Sequence, residues 1–333
     1  MSVFTDHSHI STLVQTPVPE QVQVPVPEQV VIHCSNRNTK IINLPSRSNQ
    51  DRGAQITTLT EGGIVTITCV ADGHGIQGQK FADVCINIFQ ASVPESDWNE
   101  DDLTDVLKLL VSKIEEECIS TLSQCYGGST LSIYVDRESR DTWVTNLADS
   151  DVTIFDTDTQ TYEVLSKDHS PSNINEFERI MESRPETIFE YDKRIKQGPT
   201  IPIYKQVDEK WTKPVIVSTN IYAKNVEGQI ATYIGNGNND KLAMTRSIGD
   251  FKFKRNYGLI SEPSISKYPP LTENQVVVIA TDGLWDSWRY TQLLEYLSRD
   301  DYSDISEKHG VLSRSLFGNS VDDTFAYIIS GKP

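Results

Sequence analysis

The chain has 333 residues, 37% of them hydrophobic, enough for one large domain or two small ones. Its 30 basic and 47 acidic residues give a formal charge of −17, which argues against nucleic acid or an anionic membrane surface as the main partner. No stretch approaches the roughly 18 apolar residues of a membrane span, no basic flank with an apolar segment opens the sequence, and five scattered cysteines without a CxxC pair suggest neither a disulfide framework nor a zinc site. A soluble, intracellular, monomeric protein with reduced thiols is expected.

In chain order, residues 17–32 repeat a period of eight, PVPEQVQV then PVPEQVVI. Proline at alternate positions blocks helix and denies ladder hydrogen bonds, so residues 1–29 are expected to form an extended arm ahead of one domain over 30–333. Residues 46–52 (SRSNQDR) interrupt the apolar pattern just before 64–70 (IVTITCV), a buried strand by its β-branched content. That strand stops at Asp72, and Gly73 and Gly75 let the backbone approach a ligand. Phe81, Val84, Cys85 and Ile88 recur at helical spacing. Leu103 through Leu122 trace a longer amphipathic helix, with acids at 100–102 favouring its positive end.

GGSTLSIYV (127–135) reads as a turn into a strand, 143–147 as another, and ADS (148–150) as a hairpin-like turn towards 152–155, with Asp149 in it. A helix is expected over 173–183, with Ser172 as its cap and Glu176 in its first turn, and Asp168 and His169 before it look structural. Residues 184–240 are polar and rich in turn formers. Residues 275–286 (QVVVIATDGLWD) form a second apolar strand ending in Asp282 and Gly283, with Asp286 four places on. Residues 324–330 (TFAYIIS) carry Asp322 and Asp323 at their start. Such alternation suits an α+β fold of two packed sheets flanked by helices rather than a parallel βαβ repeat.

Between antiparallel neighbours the start of one strand lies beside the end of the next, so these carboxylates can gather at one edge. Crowded carboxylates need compensating charge, and oxygen ligands without convergent Cys or His favour hard cations such as Mg2+ or Mn2+. Each acid alone has a plainer role: an Asp-Gly turn at 72, a turn former at 149, a helix cap at 286.

The ordered set ADGHG (71–75), GGST (127–130), NLADS (146–150), LSKDHSP (165–171), LAMTRSIGDF (242–251), IATDGLWD (279–286) and VDDT (321–324) resembles the protein phosphatase 2C family of metal-dependent serine/threonine phosphatases. The resemblance implies an α-β-β-α sandwich with two antiparallel-rich sheets, and hydrolysis of phosphoserine or phosphothreonine in phosphoprotein substrates with two Mn2+ or Mg2+ ions. It implies Asp72 as bridging ligand, with the Gly73 carbonyl, Asp282 and Asp322 completing the set, Asp51 near the ions, and a third, weaker ion at Asp149 and Asp286. Arg47 is the implied phosphate clamp, and residues 184–240 include the variable flap beside the site. Asp322 is assigned by register, with a swap to Asp323 left open.

His74, next to the metal turn, suits a general acid because its unperturbed pKa of about 6.5 lies near working pH; its plainer role is a turn histidine bonded to backbone. No cysteine has an arginine six residues on, and GxSxG and GxxxxGK[ST] are absent, which removes the familiar covalent-hydrolase and NTPase signatures. The rival is an inactive pseudophosphatase that binds phosphoproteins or another partner. It rests on departures from the family pattern: Gln50 for Glu, a displaced Arg47, Ile76 and Ala148 for Gly, and Asp323 for Asn.

Overall fold

The computed structural model describes residues 39–44, 49–138, 140–194, 199–213, 220–221, 223–237, 240–299, 301–318 and 322–331; the proline repeat and Arg47 lie outside them. The first half builds β1 (Thr39–Leu44), β2 (Asp51–Thr60), β3 (Gly63–His74), helices α1 (Gly78–Ser92) and α2 (Thr104–Leu122), then β4 (Gly128–Ser129), β5 (Leu131–Arg137), β6 (Thr142–Leu147), β7 (Val152–Asp156) and β8 (Thr161–Val164). Helix α3 (Ile174–Ser183) leads into short strands β9 (Ile188–Tyr191), β10 (Ile201–Pro202), β11 (Lys205–Val207), β12 (Lys210–Thr212), β13 (Thr232–Gly235) and β14 (Lys241–Leu242). After these come β15 (Ile248–Gly249), α4 (Phe251–Tyr257), β16 (Ser264–Tyr268), β17 (Gln275–Ala280), α5 (Asp282–Trp285), α6 (Tyr290–Leu297), α7 (Ile305–Phe317) and β18 (Thr324–Ser330).

Two antiparallel sheets carry the fold. One runs β15-β4-β3-β5-β6-β16 with β2 also on β3, and the other β1-β18-β17-β7-β8. Strand β17 shows why its sequence is apolar throughout: Val277 and Ile279, with Phe325 and Tyr327 of β18, face Val70 and Tyr134 of the other sheet, while Val278 and Ala280 face the helical layer of Leu293, Leu297 and Ile305. A strand covered on both faces needs no polar alternation. On the opposite side α1 and α2 bury Phe81, Cys85, Phe89, Leu107, Leu110 and Ile114 against the first sheet. The result is the expected helix-sheet-sheet-helix sandwich.

Three local expectations change. The turn at 148–151 is not a hairpin: β6 pairs with β5 and β16 in one sheet, whereas β7 pairs with β17 and β8 in the other. Both edges of β6 are occupied, so the chain must cross to the second sheet, and Ala148 makes the reversal with φ of 73°. Asn173, not Ser172, caps α3, its Oδ1 accepting from the Asn175 amide at 3.0 Å. The polar stretch 184–240 contributes to a small apolar core of its own, Phe177, Phe189, Tyr191, Tyr204 and Ile234, beneath the sheet β10-β9-β13-β14.

Candidate functional site

Five chain segments deliver carboxylates to the seam between the two sheets. Asp51 opens β2 directly opposite Asp72 in β3. The Asp72 backbone is held from both sides: its amide donates to Thr130 Oγ1 at 3.0 Å, and its carbonyl accepts from the Thr130 amide and Ser129 Oγ. Gly73 lies so close to the start of α1 that a Cβ would stand 2.4 Å from the Gly78 carbonyl, so glycine is required there. Asp282 begins α5 and Asp286 ends it. Gly283 is likewise obligatory, because a Cβ would meet the Asp323 carbonyl at 2.0 Å; this contact brings Asp282 beside Asp322. Asp149 comes from the crossover turn.

The electrostatics record the crowding. Burial first, then the Asp51, Asp282, Asp322 and Asp149 charges, raise the Asp72 pKa well above the usual carboxylate range. Asp51 is pushed up to about 7 by burial despite the 2.7 Å hydrogen bond it accepts from Thr281 Oγ1. Asp286 is pushed up to about 8 by burial and by Asp282. Asp322, at the solvent-facing rim, is raised by partial burial and by Asp282. Asp282 alone goes down: burial opposes its charge, but the Lys224 ammonium beside it and a hydrogen bond with Asp72 prevail.

That ammonium was not anticipated from the sequence. Lys224 Nζ sits 2.8 Å from Asp149 Oδ2 and 3.1 Å from Asp282 Oδ2. With it in place, among the described residues no three His, Cys, Asp or Glu side chains converge as a formed metal site. The donors nevertheless fit hard divalent ions. All are oxygens, burial and mutual repulsion raise the pKa of several, and a single ammonium compensates a cluster that two divalent ions would neutralise far more fully.

His74 and Asp250 form a second unit. His74 Nε2 lies 2.6 Å from Asp250 Oδ2, and Ser247 Oγ donates to the same oxygen at 2.6 Å. His74 Nδ1 is buried without a protein hydrogen-bond partner. Burial alone would lower the His74 pKa, but the Asp250 carboxylate outweighs it and the value ends above 6.5. Burial would raise Asp250, which the His74 charge holds down instead. The imidazole is thus bonded to a carboxylate, not to its own turn's backbone. Asp250 went unnoticed although it lies in a quoted motif, because an acid just before a helix reads as a cap; here no capping bond forms.

The other departures are accommodated. Gln50 donates its amide to Asp323 Oδ2 at 2.9 Å and its side chain to the Gly75 carbonyl at 3.2 Å, tying β2 to both acidic turns. Asp323 is thereby engaged by residue 50, while Asp322 interacts with Asp282. Ala148 takes the left-handed conformation that glycine would take freely, at about 1–2 kcal/mol. His169 is structural, its Nδ1 accepting from the Ala148 amide and its Nε2 bonded to Ser264 Oγ. Asp72, His74, Asp149, Lys224, Asp250 and Asp282 line one cavity of about 1500 Å³. No helix among the described residues is long and apolar enough to cross a membrane.

Known proteins resemble this chain in sequence and fold. The chain is 38% identical over 80 residues to probable protein phosphatase 2C 14 of Oryza sativa subsp. japonica, covering 24% of this chain and 15% of that protein. It is 25% identical over 229 residues to probable protein phosphatase 2C 61 of Arabidopsis thaliana, covering 65% of this chain and 59% of that protein. The high-identity plant matches thus span 12–16% of the relatives' own length. In fold, a serine-threonine phosphatase 2C from Toxoplasma gondii superposes with a TM-score of 0.58 at 18% identity, over 88% of this chain and 94% of that one. The family model for protein phosphatase 2C matches residues 57–197 and 222–304. That match covers more than half of the chain and agrees with the sandwich, so the chain belongs to the protein phosphatase 2C family.

Proposed function

We propose that this protein hydrolyses phosphoserine and phosphothreonine in phosphoprotein substrates with the help of Mn2+ or Mg2+. The observation that carries the reading is that Asp51, Asp72, Asp282 and Asp322 lie close enough to perturb one another's charge, the last three lining the cavity beside a histidine paired to a buried carboxylate. Asp72, Asp51, Asp282, Asp322 and the Gly73 carbonyl are the groups to hold two ions, and Asp149 with Asp286 a third. Bound there, divalent ions supply water activation and neutralisation of the phosphoryl oxygens.

The chain's own residues do the rest. Asp250 accepts from His74 Nε2–H, which leaves Nδ1 to carry the mobile proton, and its negative charge favours the imidazolium. Once substrate binding uncovers Nδ1, which is buried here, its proton can pass to the leaving seryl or threonyl oxygen as the bond to phosphorus breaks. Asp250 also keeps the ring from rotating, since Ser247 Oγ and the Gly127 carbonyl hold Asp250 in turn. Arg47 is proposed to grip the phosphate.

One observation favours the rival reading, a binding module without turnover: the seat between Asp149 and Asp282 is taken by Lys224. The deciding experiment is turnover of a phosphoserine peptide with Mn2+, with Mg2+ and with excess EDTA. Metal-dependent turnover that survives thiol alkylation is expected, since Cys69, Cys85 and Cys118 are buried. Full activity in chelator would refute the metal reading, and a folded protein inert with every divalent ion would establish the binding module.

A further inference from the structure

Lys224 is presented by a turn that is closed on itself. Ala223 and Ile230 bridge, the Lys224 amide donates to the Gln229 carbonyl at 2.6 Å, and Asn225 Oδ1 accepts from the Gln229 amide at 3.1 Å. The turn is pinned to the acidic seam at three places. Its ammonium pairs with Asp149 and Asp282, the Val226 amide donates to the Asp286 carbonyl at 3.3 Å, and Glu227 Oε1 accepts from the Tyr290 amide at 2.9 Å. Every anchor belongs to a proposed ligand or to the loop just after one. An ion drawn to Asp149 and Asp282 would face an ammonium about 3 Å from both, and two cations cannot share so close a position.

We propose that Lys224 is a built-in competitor of the metal: its ammonium and the strap of residues 223–230 occupy the Asp149–Asp282 end of the site and must withdraw before an ion binds there. The inference rests on the metal-site reading above. Because coupling is reciprocal, ions that loosen the strap are weakened by it to the same degree. If the open state is about a tenth populated, apparent affinity falls about tenfold, so removing the ammonium should restore that factor.

The test measures Mn2+ binding by titration calorimetry for the full chain, for Lys224→Met and for Lys224→Arg, without reference to turnover. Lys224→Met should bind Mn2+ about tenfold more tightly, and Lys224→Arg close to wild type. Hydrogen exchange on the wild-type protein supplies a reading that needs no variant to fold: Mn2+ should speed exchange at the Val226 and Tyr290 amides, whose acceptors are lost when the strap lifts. Wild-type binding with no gain in the Met variant, or unchanged exchange at both amides, overturns the competitor alone. Absence of Mn2+ binding in every form overturns the metal site and the competitor together.

Discussion

Glu176 is the buried charge on which the segment leading to Asp250 hangs. It is 3% exposed, and its Oε2 accepts from Arg179 Nη2 at 2.7 Å and Thr245 Oγ1 at 2.9 Å, while Oε1 accepts from Arg246 Nε at 3.1 Å. Burial by itself would raise its pKa, but the Arg246 and Arg179 guanidinium groups bring it from the usual 4.5 down to about 2. A depressed carboxylate pKa stabilises the fold fully above pH 4.5 and loses that contribution as pH falls towards 2. The shift corresponds to about 3 kcal/mol, at the lower end of the roughly 3–5 kcal/mol for breaking a buried ion pair, as befits arginines that keep some solvent contact. Glu176→Gln should therefore cost about 3 kcal/mol at pH 7 in urea unfolding of the metal-free protein, with the gap to wild type narrowing below pH 4.5. Thr245 and Arg246 immediately precede Ser247, so the same variant should loosen the grip on His74. A variant as stable as wild type at pH 7 would show that the guanidinium clamp contributes nothing to the fold, and a gap that stays constant down to pH 3 would show that the loss does not arise from the charge of Glu176.

His74→Ala should slow hydrolysis of a phosphoserine peptide by about 10²–10⁴-fold but an aryl phosphate far less, because a phenolate leaves without help and an alkoxide does not. Equal losses on both substrates, or a matching loss of Mn2+ binding, would reduce His74 to a support for the turn. Asp51→Asn concerns the opposite sign of linkage: a carboxyl raised from 3.8 to about 7 stabilises the fold at low pH and less as pH rises through 7. Metal-free Asp51→Asn should thus be more stable than wild type at pH 8, by on the order of 2–4 kcal/mol, with the difference vanishing towards pH 4. It should also gain less stability from Mn2+ in thermal melts; an undiminished gain would remove Asp51 from the ligand set.

The sandwich was legible because its strands are buried on both faces and so spell uninterrupted β-branched runs, and because the acids stand where those runs begin or end. The crossover at 148–151 was not, since a short turn between two strands reads as a hairpin unless the competing partners of each strand are known. The small core beneath β10-β9-β13-β14 escaped notice because Phe177, Phe189, Tyr204 and Ile234 come from separated segments. Lys224 lay beyond reach for a similar reason. Its partners are 75 and 58 residues away, and nothing in the local pattern distinguishes it from any loop lysine.

The second sheet is joined by strands from opposite ends of the described chain, since β1 pairs with β18 along Thr39–Leu44 and Thr324–Ser330. Strand β18 lies inside that sheet, between β1 and β17, and Asp322 enters with it. During synthesis, then, β1 waits nearly three hundred residues for its partner, and the sheet exposes an unpaired hydrophobic edge until β18 is made. A chain that stopped before β18 would leave β1 and β17 without the strand that joins them and would place no carboxylate at the entry to that strand.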